Sequence, residues 1–243
     1  MGNMRLKQAL HYQLDYMFWA SLWVLGITSA IFIVSVLLSG VAAAGNFVFV
    51  VNAGYDYGQF TGNANAIFTI FLFVIGIVGI RSDLKFFLQN GMGRNTTFFS
   101  NLLASIIVGV VLGFINEVIT VVIAMLFVNA MNPGSNFMQN WAVSSAVFIG
   151  AWQIGALISL IYYRLNRLGQ VIFTISAIAL VVFGFGAFAN YFLRDPDAMI
   201  ERIEEFVTVS QNIAINTTLI TLAIAAVAAA GSFLLIRRAQ IKE

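Results

Sequence analysis

The chain has 243 residues, of which 60% are apolar and only 9% are charged. A soluble domain carries about 25% charged residues, so this composition predicts an all-α polytopic membrane protein. The chain has no cysteine and a single histidine, which excludes disulfides, cysteine nucleophiles and a metal site built from several histidines. The isoelectric point near 9.0 does not indicate nucleic-acid binding, because the basic residues cluster at the ends of apolar runs.

Six apolar runs are long enough to cross a bilayer, which takes about 20 mostly apolar residues. These predicted spans cover residues 17–38, 64–80, 98–128, 141–161, 171–193 and 213–236. The first run resembles a signal peptide because alanines follow it at 42–44, but its apolar core of about 20 residues exceeds the usual 7–15. We therefore expect a single transmembrane domain over residues 1–243, with six spanning helices.

The lysines and arginines predict the orientation of the chain, because they are enriched in cytoplasmic loops. With the N-terminus inside, ten of the twelve fall in inside segments. These ten are Arg5, Lys7, Arg81, Lys85, Arg94, Arg164, Arg167, Arg237, Arg238 and Lys242. Only Arg194 and Arg202 fall outside. Both termini are therefore expected in the cytoplasm.

Two amphipathic segments are predicted to lie at the membrane surface. Residues 3–16 carry leucines four residues apart, which is typical of an interfacial helix before the first span; the alternative is an ordinary solvated start of that span. Residues 196–212 follow Asp195, with Pro196 suited to a first helical position. Acidic and apolar residues there fall on separate faces, which predicts an external amphipathic helix.

The inside loop between the second and third runs predicts a short helix over residues 82–90. Ser82 is suited to be its N-cap, and Gly91 is placed to end it. Phe87 and Leu88 belong to an apolar face flanked by basic residues. Such a helix either rests on lipid or fits a groove on a cytoplasmic partner, and the sequence leaves both open.

A stripe of small and polar residues runs along the third span and includes Glu117, the one ionisable residue well inside a predicted span. An ionisable group there faces protein or water rather than lipid. The stripe consists of Ser105, Gly109, Gly113, Asn116, Glu117 and Thr120. One interpretation is a translocation path that contacts a cationic substrate. The other is a helix-packing seam, with the carboxyl partnered by a side chain such as Gln153.

The sequence carries no recognisable enzyme machinery. It has no HExxH zinc motif, no GxSxG elbow and no intramembrane aspartate pair. None of the three lysines belongs to a GxxxxGK phosphate loop, and His11 is interpreted as an interfacial polar residue. We therefore expect neither catalysis nor a bound metal or cofactor in this chain.

The arrangement resembles the membrane subunits of ABC-2 type ATP-binding cassette exporters. The likeness covers nearly the whole chain: six spans with both ends inside, an interfacial helix at 3–16, a coupling helix at 82–90, a shorter inner contact at 162–170 and an external helix at 196–212. The segment FFLQNGMGRNTTFFSNLL is similar to the inner loop of small bacterial permeases of this type. The chain departs from the family in its small external region.

This resemblance implies a permease subunit in a bacterial cytoplasmic membrane that pairs with a second permease copy and with a separate ATPase subunit. ATP and Mg would bind to the ATPase. The cargo would be amphipathic, with a peptide favoured over a drug or a lipid. The resemblance implies that the ATPase docks on Arg81, Asp83, Lys85, Phe86, Phe87, Leu88, Arg94, Arg164 and Arg167, unless the aromatic residues are buried at the membrane boundary. The rival is a channel or scaffold subunit without an ATPase.

Overall fold

The structure, a computed structural model, describes residues 2–44, 57–123, 136–194 and 213–237. Every element within these ranges is helical. The helices are α1 (Gly2–Ala44), α2 (Tyr57–Gln89), α3 (Arg94–Ile123), α4 (Phe137–Arg164), α5 (Arg167–Arg194) and α6 (Ile213–Arg237). The prediction of an all-α protein is confirmed for this part of the chain.

Four segments of these helices are long and apolar enough to cross a membrane. They are Ala64–Gln89, Arg94–Val122, Phe137–Arg164 and Ile215–Arg237. Each contains at least 23 residues, which at 1.5 Å per residue exceeds the hydrocarbon thickness of about 30 Å. The chain is therefore a multi-pass membrane protein. The other two predicted spans, 17–38 and 171–193, lie within α1 and α5.

Helix α4 is the centre of the bundle and packs against α2, α3 and α6. Its large side chains Phe148, Trp152 and Leu160 are fully buried in the main apolar core. Phe68 of α2 lies against Phe148, with their ring centroids 5.9 Å apart. Because α4 has a neighbour on several sides, its polar residues also face protein, and this placement brings the polar stripe of α3 into the interior.

Glycines allow α2 and α4 to pack backbone against backbone. A Cβ atom on Gly76 of α2 would overlap the carbonyl oxygen of Trp152 and lie 3.0 Å from the amide nitrogen of Ala156. A Cβ on Gly155 of α4 would overlap the carbonyl oxygen of Phe73 in the same way. Small residues at both sides of one contact are typical of membrane helices that pack closely.

Gly91 ends α2, as the sequence predicts. Its φ of 71° lies in the left-handed region that favours glycine. The Gly91 amide donates to the Leu88 carbonyl at 3.1 Å, and the Met92 amide donates to the Phe87 carbonyl at 2.8 Å. This pair of hydrogen bonds is a Schellman motif, and it fixes the turn from α2 into α3.

Two of the predicted short helices are parts of longer ones. Residues 3–16 are continuous with the first apolar run in α1, and residues 82–89 are the last turns of α2. The assignment of Ser82 as an N-cap is wrong, because its hydroxyl donates to the Gly79 carbonyl inside α2 at 2.8 Å. The predicted external helix over 196–212 lies outside the described residues.

Candidate functional site

The basic termini of five helices, α1, α2, α3, α4 and α6, lie together at one end of the bundle. Arg5 of α1 donates to the Gly91 carbonyl at 2.8 Å. Arg94 of α3 donates to the carbonyl of Arg237, the last residue of α6, at 3.0 Å. These contacts bring together ends that are far apart in the sequence. We call this region the basic end.

Arg81 links α2 to the last turn of α4 at the same end. Its guanidinium carbon lies 5.6 Å from the centroid of the Tyr163 ring, a distance suited to a cation–π interaction. Arg164 and Arg167 follow next in the chain and are exposed on either side of a two-residue link between α4 and α5. Within that link, the Asn166 side chain caps α5 by accepting from the Gly169 amide at 2.8 Å.

The start of α1 and the end of α2 run antiparallel as a helical pair, which we call the tip (residues 5–16 and 81–91). Gln13 donates to the carboxylate of Asp83 at 2.7 Å. One turn further out, the ring of Tyr12 stacks on Phe86 with centroids 5.1 Å apart and an interplanar angle of 18°. Together with the Arg5 contact to Gly91, these interactions fix the register of the tip.

The two phenylalanines of the tip have different environments. Phe86 is 44% exposed, whereas Phe87 is fully buried and meets the edge of Tyr12 at 6.0 Å between centroids. Phe87 is therefore a core residue in this structure, which corrects its assignment to a docking surface. Lys85 is exposed and Leu88 is partly buried beside them. Of the docking residues predicted on α2, Arg81, Lys85 and Phe86 are the ones exposed to a partner.

The polar stripe of α3 lies at its contact with α4, where the two helices are antiparallel. Gln153 donates to the Ser105 hydroxyl at 2.7 Å, and both side chains are fully buried. Further along, Asn140 donates to the carboxylate of Glu117 at 3.2 Å. The prediction that Gln153 is the partner of Glu117 is therefore wrong. Gln153 bonds to Ser105, which lies about three turns from Glu117 on α3.

The glycines of the stripe lie between these two polar contacts. A Cβ on Gly109 would come within 3.3 Å of the Ile149 amide nitrogen, and one on Gly113 would overlap the Ser145 hydroxyl. Moving four residues along α3 thus corresponds to moving four residues back along α4. This constant register is a property of helix packing, and it supports the interpretation of the stripe as a seam.

The remaining members of the stripe face α2 or the interior. Asn116 donates to the side-chain oxygen of Asn65 on α2 at 3.1 Å. Thr120 is buried, and its hydroxyl has no hydrogen-bond partner in the described part of the chain. Glu117 is only 3% exposed. All three side chains are buried in the part of the chain that the structure describes.

Sequence reasoning missed three residues that organise these contacts: Tyr12, Gln13 and Asn140. The predicted surface helix over residues 3–16 includes Tyr12 and Gln13, although Gln13 is 2% exposed. Gln13 lies four residues from both Ala9 and Met17, which are buried, and a polar residue on such an apolar stripe is the signal that could have indicated a partner. Asn140 lies just before the fourth predicted span, whereas Glu117 lies well inside the third, so no signal in the sequence places the two at the same depth.

No protein-family profile, no curated protein and no solved structure matches this chain. Its functional assignment therefore rests on its own residues and their geometry.

Proposed function

We propose that the chain is the permease subunit of an ATP-driven exporter of the ABC-2 type, with six membrane-spanning helices and both termini in the cytoplasm. The tip carries this proposal. It is a braced pair of helix ends on the side of the bundle where the basic residues gather, and it exposes Arg81, Lys85 and Phe86. An aromatic side chain flanked by cations is suited to a groove on a cytoplasmic protein.

The lengths of α1 and α2 support a projection beyond the membrane. Helix α2 has 33 residues and is about 50 Å long, against a hydrocarbon thickness of about 30 Å. Charged and polar side chains begin at Arg81, so the last nine residues, about 13 Å of helix, extend past the apolar layer. Helix α1 has 43 residues, about 64 Å, and accompanies α2 over this projection.

The basic residues support the proposed orientation, and the helix lengths support six spans. The basic end would face the cytoplasm by the positive-inside rule. Helix α5 has 28 residues, about 42 Å, and α1 is longer still, so both have the length to span beside the four other helices. Six spans return the chain to the cytoplasm, which agrees with Arg94 of α3 and the end of α6 being in contact.

The proposed mechanism uses α2 as a rigid connection between the ATPase and the bundle. An ATP-binding cassette subunit would dock on Phe86 and its basic neighbours, and closure of the ATPase dimer would displace the tip. The backbone contact at Gly76 and Gly155 would pass this movement to α4, because atoms of two helix backbones cannot slide past each other independently. A second permease copy would complete the path for an amphipathic cargo, with a peptide favoured.

A second candidate is a membrane interaction or scaffold subunit without an ATPase. The observation that favours it is the polar seam, in which Ser105, Asn116 and Glu117 all have partners inside one chain. A scaffold needs the exposed tip but no movement of the bundle. The two candidates therefore differ in the identity of the partner rather than in the docking surface.

The test is affinity purification of the detergent-solubilised protein from its native host, comparing wild type with Phe86→Glu. Met138→Glu is the matched control, because Met138 is 70% exposed at the opposite end of α4. We expect an ATP-binding cassette ATPase to co-purify with wild type and Met138→Glu and to be lost with Phe86→Glu. A partner without a nucleotide-binding fold, lost in the same variant, would identify a scaffold. If neither partner is found with wild type, both proposals fail.

A further inference from the structure

A groove of about 360 Å³ lies between α1 and α3, on a part of the molecule that the proposed function does not use. Its floor consists of buried side chains, with Met17 and Ser21 from α1 and Val108 and Leu112 from α3. Its volume is within the range of sites for small ligands, roughly 300–1,000 Å³. The lining is apolar except at one end and at Ser21.

The rim of the groove is exposed, so the groove opens sideways out of the bundle. Phe18 and Leu22 of α1 and Ile107 and Val111 of α3 form this rim. In a protein that spans the membrane, a sideways opening at this level faces lipid. Any occupant therefore enters from the bilayer. Its apolar part must match the shape of the groove, because hydrophobicity alone does not favour the groove over lipid.

One end of the groove is polar and lies toward the basic end. His11 and Asp15 line this end and are four residues apart on α1, and Phe18 and Leu22 continue the same face into the apolar part. The distance along α1 from residue 11 to residue 22 is about 17 Å. A polar end at the membrane surface followed by an apolar slot matches an amphiphile in a membrane leaflet, which has its headgroup at the surface and its chain in the apolar layer.

The charge next to the apolar slot is the carboxylate of Asp15. The side chains of His11 and Asp15 make no hydrogen bond or ion pair with another described residue, and both residues are exposed. The nearest lysine or arginine on this face of α1 is Lys7, eight residues earlier and about 12 Å away along the helix axis. A headgroup attached directly to an alkyl chain would therefore meet a negative charge first.

We propose that this groove binds a single-chain cationic amphiphile, with its alkyl chain between α1 and α3 and its ammonium group at Asp15. The apolar slot from Asp15 to Leu22 is about 10 Å long, so it accommodates the first eight or so carbons of an extended chain, at about 1.3 Å per bond, and a longer chain continues into the bilayer. The binding site goes beyond the proposed function and needs no ATPase. Only the further identification of its occupant as exported cargo rests on that proposal.

The test uses a dodecylammonium probe that carries a photoreactive diazirine on its chain. The full-length protein is reconstituted in phosphatidylcholine nanodiscs, irradiated with the probe and analysed by mass spectrometry of its peptides. We expect labelling on residues 14–22 and 107–115. Val111→Trp, which changes a 50% exposed rim residue, fills the groove and is expected to reduce this labelling at least about tenfold. Val118→Trp is the matched control, at a 37% exposed position two turns further along α3, and should label like wild type.

A second arm tests the charge. Asp15→Asn is expected to weaken the dodecylammonium labelling about twofold to fivefold, the range of an exposed ion pair, and to leave labelling by the uncharged dodecanol analogue unchanged. Equal labelling by ammonium and sulfate probes of the same chain length would overturn the charge assignment. Undiminished labelling of Val111→Trp would overturn the site. Because ATPase co-purification is measured separately, failure here and failure of the exporter proposal are distinguishable.

Discussion

The close contact between α2 and α4 leads to a sharp stability prediction for Gly76→Ala. The new methyl group would overlap the Trp152 carbonyl oxygen and lie 3.0 Å from the Ala156 amide nitrogen. Both are backbone atoms of a central helix, so neither can move without moving α4. Restoring an ordinary contact distance requires the helices to separate by about 1 Å, and a gap of this size forfeits roughly a quarter to a half of the dispersion attraction between facing atoms.

Overpacking of this kind costs about 1–3 kcal/mol, while replacement of a helical glycine by alanine by itself contributes about 0.5–1 kcal/mol of stability. Gly79→Ala is the matched control, because Gly79 is one turn further along α2 and has no atom within 4 Å of the new methyl position. We expect thermal unfolding in detergent to rank Gly79→Ala at or above wild type and Gly76→Ala below it.

The double variant Gly76→Ala/Gly155→Ala tests whether the two glycines share one contact between α2 and α4. The two glycines meet each other's helix at the same contact, so one separation relieves both overlaps. The combined loss of stability should therefore be smaller than the sum of the two single losses, as expected for coupled neighbours. The reasoning fails if Gly76→Ala unfolds at the same temperature as Gly79→Ala, or if the two losses add.

Three further predictions concern the tip and the seam. Phe87→Ala should destabilise the protein by about 3–5 kcal/mol, because it empties a fully buried site, whereas Phe86→Ala should cost well under half as much; thermal unfolding of the pair separates core from surface. A double-mutant cycle on Ser105→Ala and Gln153→Leu should give a coupling of about 0.6 kcal/mol, the average for hydrogen bonds in membranes; a coupling of zero would contradict the contact. Glu117→Gln keeps an acceptor for Asn140, so its unfolding temperature should stay within a few degrees of wild type, and a collapse of folding would show that the charge itself is needed.

The apolar runs predict where the helices lie, but changes in polarity do not predict where helices end. Residues 3–16 and 82–90 differ in composition from the adjacent apolar runs, and this difference predicts two separate helices. In the structure each continues its neighbour, because no residue at either junction breaks the backbone hydrogen bonds. A change from apolar to charged residues marks the edge of the membrane, whereas a helix end needs a local device. Gly91 is such a device, and it was predicted correctly.

The polar contacts of the seam depend on a register that a single sequence does not contain. The spacing on α3 correctly groups Ser105, Gly109, Gly113 and Glu117 on one face. Assigning their partners requires one known contact between α3 and α4, after which the others follow by steps of about one turn. Without such a contact, the sequence predicts an amide inside the fourth span, Gln153, as the partner of Glu117, which is about three turns from the observed partner Asn140.

The same geometry separates the two functional candidates. Phe86 of the tip and the Gly76 contact lie on one continuous helix, about 15 Å apart along its axis. A force on Phe86 is therefore transmitted to α4 through a rigid helix and a backbone contact. A scaffold needs only the first of these features, because a docked partner does nothing to the bundle. An exporter needs both. Loosening the α2–α4 contact while leaving the tip intact should therefore preserve partner binding in either case, but it should uncouple ATP hydrolysis from cargo movement only if the chain is an exporter.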